Sequence, residues 1–463
     1  MGGEVGWFSR QRRVSKGLAG YVSLKGAARM VDGCSVTAVL RPSVTLERSS
    51  IASLVDAGMR VSTGLAVCML PIAGAIQRPS WTKPFLMLID IPLVLVGIFG
   101  VLRLVVRGKT SSLLTKCGLV YLAGQLISLA SSPTSNGMLD FMRLFASLMI
   151  IEELGAMAVT SRAKFERLLV ALTVAETALV IAHHFVGRAL ASNFIEAYSS
   201  PFSDNGFRHP EGSFPHWYVL AAFALMIGAV AVSGAMRGTL SAPWVLAGVA
   251  PAGFFALAAV GRNAAAGAIV LAVCLLVALV RVPGRRFVFA GALLVLLISS
   301  GLGVYSQRNA WVGRTSSAQG VSAIADRNQK MQQAIELWKT DPIAGVGVGN
   351  YMAALDKSPA RSLDPQFLPV HNYGLFVLAE SGIVGVIAGV PLLGLLLVRL
   401  RKRPILTVAP ILAIAPFLAL DMLFADIPSG MLMLAVGLGF FAFRSENGIV
   451  DGELSARTVS TAV

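Results

Sequence analysis

The 463-residue chain is only 14% charged and 55% apolar, with a mean hydropathy of +0.72. A water-facing surface cannot be assembled at that charge density, so a soluble globular enzyme is excluded and lipid has to serve as the solvent. Lys and Arg outnumber Asp and Glu by 39 to 24; that excess is assigned to membrane topology, with no nucleic-acid partner expected.

Residues 1–60 carry nine Lys or Arg among many Ser and Gly, the composition of a disordered cytoplasmic tail that touches anionic lipid only weakly. No signal-peptide pattern occurs there, so the first membrane helix is expected to direct insertion. Mostly apolar stretches follow at 61–77, 85–106, 113–130, 138–158, 166–186, 215–234, 240–260, 264–280, 286–304, 373–398, 404–425 and 427–443. Each approaches the length that crosses roughly 30 Å of hydrocarbon, and each must be helical, because unpaired backbone groups in lipid cost several kcal/mol. The expected fold is an all-α polytopic membrane protein of about twelve transmembrane helices over residues 61–443, followed by a cytoplasmic tail over 444–463. Within 138–158, Arg143, Glu152 and Glu153 have to face protein, water or an interface. The cysteines Cys34, Cys68, Cys117 and Cys274 are scattered, three of them in apolar runs, and read as small apolar side chains.

Charge distribution gives the orientation. With the N-terminus in the cytoplasm, 26 Lys or Arg fall on that side and 12 on the other, seven of the latter in one long loop where the positive-inside bias is weak. Arg162, Lys164 and Arg167 lie on the cytoplasmic side, as do Arg281, Arg285 and Arg286, and again Arg399, Arg401, Lys402 and Arg403. An even number of crossings returns the C-terminus to the cytoplasm, and the expected location is a bacterial inner membrane.

Two external segments stand out by length. Residues 187–214 are rich in Ser, Pro and Phe and end in Arg208-His-Pro-Glu-Gly-Ser-Phe-Pro. Residues 305–372 are long enough that internal elements are expected. Ile324, Asn328, Met331, Ile335 and Trp338 recur at helical spacing, which predicts an amphipathic helix over 321–340 with that face on the bundle or among headgroups. Asp341-Pro342 stops it, and Gly345, Gly347 and Gly349 let backbone pass close to a neighbour.

Arg208, Arg262, Arg327 and His371 all fall on the external side by parity. Arg262, in the short link Gly261-Arg262-Asn263 between two apolar runs, is the most informative, because a guanidinium at the membrane edge seeks an anion and its planar fork suits phosphate oxygens. The plain reading stands beside it: an interfacial arginine can snorkel to the phosphates of membrane lipids, and His371-Asn372 can simply cap the re-entering helix. The glycine triplet is a turn as readily as a phosphate loop, since no Gly-Lys-Ser/Thr follows it.

The series from Arg327 through Trp338, Asp341-Pro-Ile-Ala-Gly345-Val-Gly347-Val-Gly349, Val370-His371-Asn372-Tyr373 and Ala379-Glu380-Ser-Gly382-Ile-Val-Gly385 resembles the signature of the O-antigen ligase and polysaccharide polymerase superfamily. The resemblance implies a multi-helix glycosyltransferase of the GT-C-like type with a large periplasmic loop, working without a metal or other cofactor. It implies a glycan donor on undecaprenyl pyrophosphate and an acceptor hydroxyl, on another lipid-linked glycan for a polymerase or on lipid A core for a ligase. Matched to this chain, Arg262, Arg327 and Arg208 would hold the pyrophosphate, His371 would serve the acceptor hydroxyl, and Glu380 and Asn372 would support them. Two departures occur: Phe214-Pro215-His216 stands where relatives often have Pro-Asn, and Gly261-Arg262-Asn263 where they often have Ser-Arg-Gly. A polymerase is the expected activity, with a ligase as the alternative, and a chain-length regulator and a flippase as partners. A flippase or secondary transporter is the alternative of a different class.

Overall fold

A computed structural model of the chain describes residues 42–70, 89–107, 113–186, 217–315, 317–363, 369–402, 409–420 and 428–442. Arg208, Cys34 and the tail over 444–463 lie outside the described residues. Contacts divide the chain into Met1–Ser49 and Ser50–Val463, and the second unit is the helical bundle.

Among the described residues every regular element is helical. The helices are α1 (Pro42–Cys68), α2 (Asp90–Arg107), α3 (Leu113–Ser131), α4 (Ser135–Ala156), α5 (Val159–Val186), α6 (Trp217–Arg237), α7 (Ala242–Ala258), α8 (Arg262–Arg281), α9 (Arg286–Ser306), α10 (Arg308–Thr315), α11 (Ser317–Thr340), α12 (Tyr351–Lys357), α13 (Tyr373–Lys402), α14 (Ala409–Leu420) and α15 (Pro428–Ala442). Each expected membrane stretch carries one of them, but the count of about twelve spans is not confirmed. Among the described residues, six helices are both long and apolar enough to cross: Ser50–Cys68, Leu113–Ser131, Trp217–Arg237, Arg262–Arg281, Pro283–Ser306 and Tyr373–Val398. Charge accounts for part of the shortfall, since α4 carries Asp140, Arg143, Glu152 and Glu153. Length accounts for α7, which has 17 residues. The first helix begins at Pro42 rather than near residue 61, so the expected tail boundary at 60 falls inside it; proline is well suited to a helix start.

Helix α6 is apolar on all sides and occupies the centre, with Val219 through Val232 wholly enclosed. That is how an all-round hydrophobic helix behaves, and α5, α7, α8, α14 and α15 surround it. Small residues set the spacing: a Cβ at Gly228 would lie 2.8 Å from the Ala252 Cβ, and one at Gly248 2.9 Å from the Ala231 Cβ. Lipid supplies no hydrophobic drive between helices, so such close backbone approach is what holds them.

The charged residues inside the helices face protein, as expected of Arg143, Glu152 and Glu153. Arg143 donates from Nε and Nη2 to the two Asp90 oxygens at 2.8 Å each, and from Nη1 to Asp140 at 2.8 Å. Glu153 accepts from Arg103 at 2.7 Å, and Thr115 donates to Glu152. Near the start of α5, wholly buried Glu166 meets Arg162, Arg237 and Thr239. The three described cysteines are free.

The long segment over 305–372, expected to be external, folds in its described residues as α10, α11, α12 and a 3-10 turn at Pro359–Leu363. Its α11 forms where a helix was predicted, with a different face inward. Lys330, Gln333, Ala334 and Leu337 are buried, while Met331 is 39% exposed. The inward face is thus displaced by about one residue from Ile324, Asn328, Met331, Ile335 and Trp338. Packing decides this: Ala334 and Leu337 join Tyr351, Leu355, Val370, Phe376 and Ala379 in a second core distinct from that of the bundle. Small Ala334 permits a close approach that Met331 would block, and Lys330 is tolerated there because Asp326 accepts from it at 2.6 Å.

Helix α13 is broken at Gly382, whose φ and ψ are 60° and −162°. In an unbroken helix the Ile383 and Val384 N–H groups would bond the Ala379 and Glu380 carbonyls. The external segment is laid between them instead. Val346 N donates to Ala379 O at 3.0 Å and Gly347 N to Glu380 O at 2.9 Å, while Ile383 N donates to Pro342 O at 3.0 Å and Val384 N to Ile343 O at 3.1 Å. All four groups opened by the break are thereby satisfied, the condition for irregular backbone in a membrane helix. A Cβ on Gly382 would lie 2.3 Å from Ile343 O, and one on Gly345 2.4 Å from Glu380 O. Gly382→Ala is therefore expected to destabilise the fold by about 2 kcal/mol or more, from backbone strain and the collision together. Thermal unfolding of the detergent-purified protein reads this, against Gly394→Ala, which meets nothing within 4 Å. Equal melting of the two variants would remove the clasp as a structural requirement.

Candidate functional site

The link between α7 and α8 is tightly wound. Val260 has φ 52°, a left-handed conformation that a β-branched residue rarely adopts, and Gly261 lies under the Tyr218 ring, 2.3 Å from where a Cβ would sit. This turn delivers Arg262 as the first residue of α8 with its side chain exposed. Beside it Asn263 is buried, and its Oδ1 has no partner among the described residues. Helix α10 closes over the same end, where the Trp311 indole donates to Leu257 O at 2.9 Å. A helix N-terminus, a guanidinium and local backbone strain thus coincide at one point.

Arg327 is also exposed, on α11, one turn before buried Lys330. Among the described residues neither the Arg262 nor the Arg327 side chain makes a hydrogen bond or ion pair. Arg103, Arg107, Arg143, Arg162 and Arg237, by contrast, are each matched to carboxylates. His371 is half-buried in the turn before α13. Asn372 caps that helix, its Oδ1 accepting from Leu375 N at 3.0 Å, so its visible work is the plain one considered from sequence.

Glu380 lies deeper in α13, just before the break, and is buried. Its Oε1 accepts from Tyr351 N at 3.2 Å, while its carbonyl accepts from Ser128 Oγ at 2.8 Å as well as from Gly347 N. One residue thus ties α3, α12 and the glycine segment to α13. Burial pushes the Tyr351 hydroxyl well above its usual pKa, with Glu380 adding to the rise, so Tyr351 is a neutral group here. The glycine triplet has positive φ at all three positions, 71°, 100° and 72°. It is packed against Glu380, Ser132 and Gly137, which makes it a close-packing turn rather than a phosphate cradle.

A small polar cleft, with room for about one or two water molecules, opens beside Glu380 between α3, α4, α13 and α15. Tyr121, Gln125, Asp140, Tyr373 and Ser381 line it with Glu380. Gln125, Ser128 and Asp140 were not singled out from sequence. Tyr121, Gln125 and Ser128 are spaced four and three apart in an otherwise apolar helix, a polar stripe that was available as a signal.

Six apolar helices long enough to cross lipid define a multi-pass membrane protein, with the candidate residues at helix starts and on the long segment that clasps α13. Residues 247–390 match the family model described as O-antigen ligase, and the motif resemblance is thereby upheld. The matched stretch runs from α7 into α13 and takes in Arg262, Arg327, His371, Asn372 and Glu380; Arg208 lies before it. No curated protein and no solved structure matches the chain.

Proposed function

We propose that the chain is a membrane glycosyltransferase that moves a glycan from an undecaprenyl-pyrophosphate donor to an acceptor hydroxyl, acting as a surface-polysaccharide polymerase at the external face of the inner membrane. The observation that carries this reading is the pair of exposed guanidiniums, Arg262 and Arg327, without protein partners among the described residues, inside the stretch that matches the O-antigen ligase family. Internally neutralised arginines hold a fold together, whereas exposed guanidiniums without a carboxylate, such as Arg262 at the start of α8 and Arg327 on α11, are available to an anion.

In the proposed reaction the acceptor oxygen attacks the anomeric carbon, and the bond from that carbon to the pyrophosphate oxygen breaks with inversion. Arg262 and Arg327, with Arg208, neutralise the leaving diphosphate. His371 takes the acceptor proton, a role suited to an imidazole at the mouth of the site. Glu380 and Asn372 position the segment and the start of α13 around it. No metal is needed in this scheme, because the guanidiniums supply the positive charge.

A strain lacking the chain tests the reading by gel analysis of its glycans. Loss of polymerisation leaves single repeat units on the acceptor. Polymer retained on the carrier lipid would favour the ligase alternative, which the description of the matching family supports. Unchanged glycans, or repeat units trapped on the inner face, would discard the transferase in favour of a flippase. Complementation with His371→Ala at wild-type membrane level should reduce transfer by about 10²-fold or more; full complementation would remove His371 from the chemistry.

A further inference from the structure

The buried amides that carry an unmatched atom are not equivalent. Gln125 and Gln333 each keep one end bonded to protein, Gln125 Oε1 accepting from Ser381 Oγ at 2.6 Å and Gln333 Nε2 donating to Ala360 O at 3.1 Å. Asn263 is 5% exposed, its Oδ1 is unmatched, and neither end of its amide is hydrogen-bonded among the described residues. It is not a helix cap, since the N-cap of α8 is Gly261 and Asn263 stands second in the helix. A side chain needed only to fill that space could be apolar, whereas a buried amide oxygen without its bond destabilises a fold. The protein therefore carries an unmatched acceptor at the start of α8, next in the chain to the exposed guanidinium of Arg262.

An aromatic ring completes this helix start. The Tyr218 ring lies over Gly261, 2.3 Å from where a Cβ would sit, and packs against Trp217 with ring centroids 5.7 Å apart. A guanidinium suits an anion, an aromatic ring suits the C–H face of a sugar, and an amide oxygen suits a hydroxyl or an amide N–H. A diphosphate alone meets only the first of these, because its oxygens accept and Asn263 Oδ1 also accepts. A glycosyl diphosphate meets all three. Its anomeric carbon, which bears the diphosphate, has two neighbours in the ring: the ring oxygen, which only accepts, and C2, whose hydroxyl or acetamido N–H donates. Consecutive Cα atoms are about 3.8 Å apart, so the residue that follows a diphosphate ligand is well placed to meet a substituent on the carbon beside the anomeric one.

Resting on the transferase reading above, we infer that Asn263 recognises the C2 substituent of the sugar that bears the diphosphate, by accepting a hydrogen bond from its hydroxyl or acetamido N–H. Asn263 is then a specificity residue of the donor site, reading the sugar while Arg262 holds the charge. Turning the amide over would put Nδ2 in the buried position and suit a phosphate oxygen instead. A donor altered only at C2 separates the two cases.

Full-length protein in detergent is titrated, by microscale thermophoresis, with two probes: the undecaprenyl-diphosphate repeat unit extracted from the native strain, and a synthetic copy with fluorine, which does not donate, in place of the C2 group. Wild-type protein should bind the native probe about tenfold more tightly than the fluorinated copy, the effect of one bond to a buried acceptor. Asn263→Ala should bind the native probe about tenfold more weakly than wild type and no longer distinguish the two, while Lys339→Ala behaves as wild type. Asn263→Ala should also melt no lower than wild type, whereas a residue with a structural role alone would lose stability on truncation. If Asn263→Ala fails to fold, the wild-type preference between the probes decides, together with Asn263→Ser, which should show an intermediate preference. Equal binding of both probes by wild-type protein, or undiminished preference in Asn263→Ala, overturns the inference. A loss of the same size for both probes in Asn263→Ala makes Asn263 a phosphate ligand and overturns it too. Each of these results leaves the transferase reading standing if wild-type protein transfers the native glycan. Wild-type protein that prefers the native probe through Asn263 yet transfers nothing would keep the C2 contact and count against the transferase reading.

Discussion

Arg262→Ala protein that reaches the membrane at the wild-type level should retain about one hundredth or less of wild-type glycan transfer. Three features converge on this residue: it starts α8, it follows a Val260 held at φ 52°, and it has no protein partner among the described residues. Removing one preorganised donor from a developing negative charge costs about 3–4 kcal/mol, or 10² to 10³ in rate. Arg262→Lys should recover only part of the loss, because an ammonium keeps the charge but not the planar fork. Lys339→Ala is the matched control, since Lys339 forms an exposed pair with exposed Glu336 and such pairs contribute little. Arg237 would be a poor control, being bound to buried Glu166. Complemented strains compared by glycan gel and membrane blot give the answer, and wild-type output from Arg262→Ala would eliminate Arg262 as a diphosphate ligand.

The second large effect is on the fold. Arg143→Met should destabilise the bundle by about 3–5 kcal/mol, because Asp90 is 1% exposed and would be left as a buried carboxylate beside Asp140. Removing the charge opposite as well should recover part of the loss. Asp90→Asn combined with Arg143→Met is therefore expected to melt higher than Arg143→Met alone, as the sign of a coupled pair. Detergent-solubilised protein followed by heat unfolding measures both. Additive losses in the double variant would mean that Asp90 and Arg143 act independently.

Much of the bundle could be read from hydropathy. The stretch expected at 113–130 is Leu113–Ser131, that at 286–304 is Arg286–Ser306, and that at 373–398 starts at Tyr373 as expected. Lipid makes this possible, since every residue in contact with it must be apolar and every backbone group must be paired within its own segment. Charged stretches were the harder part. Helix α4 forms where expected, yet its Asp140, Arg143, Glu152 and Glu153 are accommodated by partners on other helices and the preceding turn of α4 itself.

The candidate site was legible in its ingredients and not in its assembly. Arg262, Arg327 and His371 were named from their chain positions, but the unneutralised state of the two arginines depends on where every carboxylate ends up. The motif segments 342–349 and 379–385 looked like separate signatures and prove to be two sides of one backbone clasp, formed by hydrogen bonds that no side-chain pattern encodes. On α11 the apolar spacing pointed to Met331 and Ile335, and the packed face is that of Lys330 and Ala334, because shape at the contact outweighed hydrophobicity.

The amino-acid sequence by itself determined that this protein is helical, membrane-embedded and equipped with arginines at helix ends, since transfer free energy and charge placement act residue by residue. Only the tertiary structure decided which charges neutralise one another, where α13 opens to admit the segment 342–347, and that the Gln125 amide nitrogen is unmatched among the described residues. Those outcomes depend on distances between residues far apart in the chain, because Coulomb and hydrogen-bond energies are set by separation, angle and burial, none of which chain position fixes.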